Sequence, residues 1–323
     1  MATRDEKWMN RALDLARRGM GTASPNPAVG AVLVSDTDEV LGEGFHVKAG
    51  EKHAEANAYA DAERRGTQTE GCTLYCTLEP CCHRNKRTPP CLDLVLAKKP
   101  KRVVLAMVDF NPAVKEGSVK AMQEAGIEIE LGVGAVEAAW MIRSFTTAIT
   151  VGKPRVISYG VPDPNILFQT DKVGMVDAFI AEGDAWIGSS ERAPHMRVCL
   201  KPEAAGVAKP PSTFREDFTT LVFGCDAPST EPGVVRLAEE ATWHNILEKL
   251  NDLQVRSILI SEAQLEAFEW QSDETWTIAD SDDIPTMCTP HQPHRALVLV
   301  HGGPTLAVSA DEMIPGGQML VAG

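Results

Sequence analysis

The 323-residue sequence predicts an α/β fold in two domains. Three observations carry that expectation. Short apolar runs rich in β-branched residues alternate with segments of helical composition, the pattern of a sheet covered on its faces by helices. The chain exceeds the roughly 250 to 300 residues at which a single hydrophobic core stops growing. Val-Gly-Lys-Pro at 151–154 punctuates it, and the character of the chain changes afterwards. The domains are therefore drawn as residues 1–150 and 151–323.

Taken in order, residues 5–18 set Met9, Ala12, Leu13 and Ala16 at helical spacing among charged positions, and Gly19 and Gly21 stop that helix. AVGAVLV (28–34), CTLYCTL (72–78) and RVVLAMV (102–108) are predicted as buried strands. Residues 53–65, 90–99 and 119–126 have helical composition. IEIELGVG (127–134) is a further strand, and 135–149 reads as one closing helix. Beyond the junction, VISYG, DAWIG, TTLVFG, RSILIS and RALVLVHGG read as strands and NILEKLNDL (245–253) as the clearest helix, so a second α/β domain follows.

Composition narrows the function classes. With 44% hydrophobic and 24% charged residues the chain is ordinary globular material, and it contains no run of the roughly 18 apolar residues that a membrane span requires. The charged start MATRDEKWMN lacks the apolar centre of a secretory signal, so a cytoplasmic location is expected. A formal net charge of −14 disfavours a nucleic-acid partner, since phosphate binding draws on clustered Lys and Arg. A phosphorylated small-molecule partner remains compatible, because local basic groups outweigh distant charge beyond a Debye length of about 8 Å. The expected assembly is a homo-oligomer.

The chemistry concentrates in the first half. His53-Ala54-Glu55 opens one predicted helix, and Pro80-Cys81 through Cys91 leads into another. Helix N-termini favour ionised thiolates, and one imidazole with two thiolates leaves the fourth tetrahedral position of Zn²⁺ open, as a catalytic site requires. We therefore expect His53, Cys81 and Cys91 to hold zinc and Glu55 to shuttle protons, the signature of zinc-dependent base deaminases. The second cysteine does not stand three residues after the first, where Arg84 lies. Cys82 competes with Cys81, and Cys81 is preferred because it follows the proline.

These residues lie among further motifs: Ser24-Pro25-Asn26-Pro27, Gly44-Phe45-His46, Thr77-Leu78-Glu79-Pro80-Cys81-Cys82-His83, Thr88-Pro89-Pro90-Cys91 and Asp109-Phe110-Asn111-Pro112. In that order, over about residues 5–150, the chain closely resembles the bacterial riboflavin-biosynthesis deaminase/reductase (RibD-like) family. The resemblance implies a cytidine-deaminase-like three-layer α/β/α domain and a diverged dihydrofolate-reductase-like α/β domain. It also implies hydrolytic removal of the 2-amino group of 2,5-diamino-6-(ribosylamino)-4(3H)-pyrimidinone 5′-phosphate, with a second domain that reduces the ribose using NADPH. Asn26, His46, Ala54 and Asn111 would line the pyrimidine pocket, and His83 with Lys86 or Arg87 would grip the phosphate. The loop HRNKRTPPC is one residue longer than the family pattern, which leaves Lys86 and Arg87 as alternatives, and Phe110 replaces a usual proline.

The second half departs further. The family's S-L-D-G segment is missing, and RSILIS runs into Glu262-Ala263-Gln264 where a Glu-Gly-Gly loop would meet cofactor phosphate. His301-Gly302-Gly303 is a later candidate for that loop. The expectation is a diverged reductase-like domain without hydride chemistry, its cofactor residues unassigned and NADPH needed only if it is active. Cys288, His291 and His294 form a C-x-x-H-x-x-H cluster in a proline-broken loop. The product would feed riboflavin or a toxoflavin-type azapteridine.

Overall fold

A computed structural model describes residues 2–83, 89–112, 114, 117–159, 176–182, 196–200, 219–223, 234–270, 272–278 and 297–300. Its described residues fall into two compact units divided between Val151 and Gly152.

In the first unit, α1 (Arg4–Arg18) starts with a capping box between Thr3 and Glu6 and buries Trp8, Met9, Ala12, Leu13, Leu15 and Ala16. Strands β1 (Gly30–Val34), β2 (Val40–Phe45), β3 (Thr73–Cys76), β4 (Arg102–Leu105) and β5 (Glu128–Leu131) form one sheet in the order β2-β1-β3-β4-β5. β1 is antiparallel to β2 and β3, while β3, β4 and β5 run parallel. Helices α2 (Ala54–Arg65), α3 (Cys91–Lys98) and α4 (Gly117–Glu124) follow one another in space, and α1 meets α5 (Ala135–Met141) elsewhere on the sheet. The fold is the mixed α/β sheet expected for this half.

Strand β2 is absent from the sequence reading, because Gly42 and Gly44 interrupt its apolar pattern. The glycines are needed for close approach. A Cβ on Gly42 would lie 2.3 Å from the Ala58 carbonyl oxygen, and one on Gly44 would lie 2.5 Å from the Ala58 nitrogen. Helix α2, which carries His53 at its N-cap and Glu55 in its first turn, therefore rests directly on the β2 backbone. The single helix expected over 135–149 is instead two, α5 and α6 (Arg143–Val151), separated at Ile142. The Arg143 guanidinium donates to the Trp140 carbonyl there, ending α5 with a side-chain partner.

In the second unit, β6 (Arg155–Tyr159), β7 (Ala178–Glu182), β8 (Met196–Leu200), β9 (Thr219–Phe223), β10 (Val234–Leu237), β11 (Ser257–Ser261), β12 (Glu274–Ile278) and β13 (Leu297–Val300) form a second sheet. Among the described residues its order is β10-β9-β8-β7-β11-β6-β12-β13, parallel throughout except for the last pair. Helix α7 (Trp243–Asp252) buries Trp243, Ile246 and Leu250 against a core that includes Ile180, Leu221, Ile258 and Ile260. Helix α8 (Glu262–Ala267) follows β11 directly. Strands β7, β8, β10 and β12 and helix α8 are additions to the sequence reading. The strand expected at DAWIG (184–188) lies outside the described residues, as do His301, Gly302, Gly303, Cys288, His291 and His294.

Candidate active site

Two loop-to-helix junctions and one loop converge beside the first sheet. His53 caps α2, Cys81 follows the β3 strand end through Pro80, and Cys91 is the first residue of α3. His53 Nδ1 lies 3.5 Å from Cys81 Sγ and 3.4 Å from Cys91 Sγ, and the three donor atoms all lie within 4.8 Å of one another. For Zn–S near 2.3 Å and Zn–N near 2.0–2.1 Å, a tetrahedral ion separates its N and S ligands by roughly 3.5 Å. The donor set and its spacing therefore fit zinc. The Cys91 amide, at the start of α3, donates to Cys81 Sγ at 3.4 Å, so the helix end supports a thiolate on its neighbour as well. Cys82 goes elsewhere, its Sγ donating to the Val114 carbonyl at 3.7 Å.

Glu55 stands two residues after His53 in the first turn of α2 and is only 3% exposed. Burial raises its carboxyl above the ordinary range, the Cys81 sulfur adds to the shift, and His53 opposes it. A carboxyl held protonated more readily than usual is suited to accept and return a proton.

His46, 2% exposed, packs edge-on against His53 with ring centroids 5.0 Å apart. Its Nδ1 is 3.1 Å from the Lys52 carbonyl oxygen and its Nε2 is 3.0 Å from Asn26 Nδ2. A carbonyl only accepts, so Nδ1 carries the proton and Nε2 accepts from the Asn26 amide. Burial lowers the His46 pKa, which favours this neutral tautomer. Ala54 is fully buried at the start of α2. Asn111 follows Asp109, whose Oδ1 accepts the Asn111 amide at 2.9 Å. Burial pushes the Asp109 carboxyl up to about 6, with Glu79 and Cys81 adding to the effect and the Asn111 hydrogen bond opposing it. His83 is half-buried, and its Nδ1 has no hydrogen-bond partner among the described residues. Lys86 and Arg87 lie outside the described residues.

Comparison with known proteins places this geometry. The family model for the cytidine and deoxycytidylate deaminase zinc-binding region matches residues 2–107. Over 151 residues the chain is 38% identical to the diaminohydroxyphosphoribosylamino-pyrimidine deaminase of Buchnera aphidicola, covering 47% of this chain and 99% of that protein. The chain belongs to the riboflavin-biosynthesis deaminase family. It is 44% identical over 152 residues to riboflavin biosynthesis protein RibD of Escherichia coli, a match spanning 47% of this chain and 40% of that relative's length. A crystal structure of a diaminohydroxyphosphoribosylaminopyrimidine deaminase/5-amino-6-(5-phosphoribosylamino)uracil reductase from Thermotoga maritima superposes with a TM-score of 0.70 at 28% identity, covering 85% of this chain and 86% of that one. The first unit thus has the cytidine-deaminase-like α/β fold with its zinc-binding region, and the likeness to a two-function family fold continues beyond it.

Sequence reasoning assigned no role to Glu79 or Ser118, although both are buried next to the ligand loop. The available signal was a carboxylate inside an apolar segment, two residues before Cys81.

Proposed function

We infer that the first unit is a zinc-dependent hydrolase that deaminates 2,5-diamino-6-(ribosylamino)-4(3H)-pyrimidinone 5′-phosphate. The products are 5-amino-6-(ribosylamino)uracil 5′-phosphate and ammonia. The observation that carries this reading is the convergence of His53, Cys81 and Cys91 beside buried Glu55. Those three side chains would hold the metal, which when bound supplies Lewis acidity and makes water nucleophilic near neutral pH. Glu55 accepts a proton from the attacking water and delivers it to the departing 2-amino nitrogen, so that a C–O bond forms as the C–N bond breaks. Asn26, its amide turned by His46, presents an acceptor to the pyrimidinone edge, and Asn111 and Ala54 complete the pocket. His83 with Lys86 or Arg87 binds the phosphate.

The second unit is read as reductase-like but without hydride transfer. What supports this is the turn after β11, where Ser261 and Gln264 form a capping box at the start of α8. The Gln264 amide is taken by Ser261 Oγ, and Ala263 and Gln264 add side chains at a place where glycine would admit a diphosphate. The likeness to the Thermotoga deaminase/reductase over 85% of this chain favours the alternative, a bifunctional enzyme that uses NADPH. The enzyme is assigned to the cytoplasm and, with its net charge of −14, to no nucleic-acid partner. It acts as a homo-oligomer in a riboflavin or toxoflavin-type azapteridine route.

The deciding experiment supplies the diaminopyrimidinone phosphate with and without NADPH and follows ammonia and NADPH absorbance together. Ammonia without NADPH oxidation supports a deaminase alone. Stoichiometric NADPH oxidation establishes the bifunctional enzyme, and no ammonia under either condition overturns the deaminase reading.

A further inference from the structure

Glu79 stands two residues before Cys81 and is 3% exposed. Its Oε1 accepts the amides of Ser118 at 2.9 Å and Val119 at 3.2 Å, both in the first turn of α4. Its Oε2 accepts the amide of Asp109 at 3.1 Å. The connection is returned from the other side, because the fully buried Ser118 donates its hydroxyl to the Pro80 carbonyl. The Glu79 amide donates to the Met107 carbonyl at 3.0 Å, which joins the chain ends beyond β3 and β4. Asp109 in turn holds the Asn111 amide through its own carboxylate. One side chain, carried on the loop that presents Cys81, therefore bonds both to the loop that presents Asn111 and to the helix beside them. Three N–H donors on one carboxylate make a rigid joint, since two fix the start of α4, the third fixes the Asp109 segment, and the buried setting excludes competing water.

We propose that Glu79 is a positioning residue that holds the Cys81 loop and the Asn111 loop in one fixed relation, so that metal-ligand geometry and substrate placement are set together. The proposal rests on the deaminase reading for its substrate but not for its metal readout. Glu79→Gln is the informative variant. It keeps size and one acceptor oxygen, but its NH₂ group must face either the α4 amides or the Asp109 amide, donor against donor.

The test uses the full chain loaded with zinc, or with cobalt as a spectroscopic probe. Glu79→Gln should alter the thiolate-to-cobalt charge-transfer band and speed zinc release to a chelator by about 10- to 100-fold, the usual effect of losing an outer-shell partner. It should also raise KM for the diaminopyrimidinone phosphate, and this rise should largely disappear when Asn111 is already Ala. Ser118→Ala, which removes only the return bond to Pro80, serves if Glu79→Gln fails to fold, and should change the cobalt band and zinc release in the same direction. A lowered Tm with wild-type cobalt spectrum, zinc release and KM, in whichever of the two variants folds, overturns the proposal and leaves a purely structural bond. Absence of deamination in the wild-type chain sinks the proposed function, while the cobalt spectrum and zinc release still decide the role of Glu79.

Discussion

The Nε2 atom of His46 lies 3.0 Å from the side-chain nitrogen of Asn26, and the opposite ring nitrogen of His46 is committed to the Lys52 carbonyl. This chain of donors turns Asn26 Oδ1 away from His46, and in the proposed function that oxygen accepts a ring N–H of the substrate. Asn26→Ala should raise KM for the diaminopyrimidinone phosphate by about tenfold, the worth of one hydrogen bond near 1.4 kcal/mol, while leaving zinc content unchanged. Steady-state ammonia release with metal analysis checks this. An unaltered KM would reduce Asn26 to a loop residue.

Glu55→Gln keeps the shape of the buried side chain and removes the carboxylate that we propose accepts and returns a proton. The expected result is about one equivalent of zinc retained and kcat lowered by roughly 10²- to 10⁴-fold. Single-turnover ammonia release measures it, and near-wild-type turnover would remove Glu55 from proton transfer.

Cys81 and Cys91 present their sulfurs to His53, whereas Cys82 faces the Val114 carbonyl. Cys91→Ser should lose zinc and Cys82→Ser should keep it, read by elemental analysis after dialysis against a weak chelator. The reverse pattern would transfer the ligand role to Cys82.

Gly44→Ala places a Cβ 2.5 Å from the Ala58 nitrogen and 2.7 Å from the Ala54 carbonyl oxygen, both backbone atoms of α2. Overpacking of this kind costs about 1–3 kcal/mol, and here it also displaces the helix that carries Glu55. We expect a lower denaturation midpoint together with weaker zinc retention. A stable variant with unchanged metal binding would show that α2 yields without moving the site.

Asp5 accepts two hydrogen bonds from the Arg102 guanidinium and one from the Tyr75 hydroxyl, tying α1 to β4 and β3. Arg102 is the main cause that holds the Asp5 carboxyl below its ordinary range. A lowered folded-state pKa contributes stability above the unfolded value, near 3.9, and loses it as pH falls through the folded value. Asp5→Asn should therefore be less stable than wild type by about 1 kcal/mol at pH 7, solvent screening included, with the gap closing below about pH 4. Urea melts across that range test it, and a gap independent of pH would assign the loss to packing alone.

The sequence alone determined the residue types of the zinc site, because His53 and Glu55 stand at one helix start and Cys91 at another, where local capping and propensity are legible, and Pro80 marks the turn that carries Cys81. It also determined the alternation of strands and helices in the first half, since buried strands such as β1 are continuous apolar runs. Which adjacent cysteine faces the imidazole was decided by the direction in which the Pro80 turn aims each Cβ, and that depends on the contacts of the whole loop. Strand β2 became legible only with α2 lying across Gly42 and Gly44, as a close approach between backbones leaves no apolar pattern in the chain. The orientation of Asn26 and the triple bonding of Glu79 join residues separated by 20 to 40 positions, so no local spacing rule could expose them. Only the tertiary structure brings these donors and acceptors within hydrogen-bond distance.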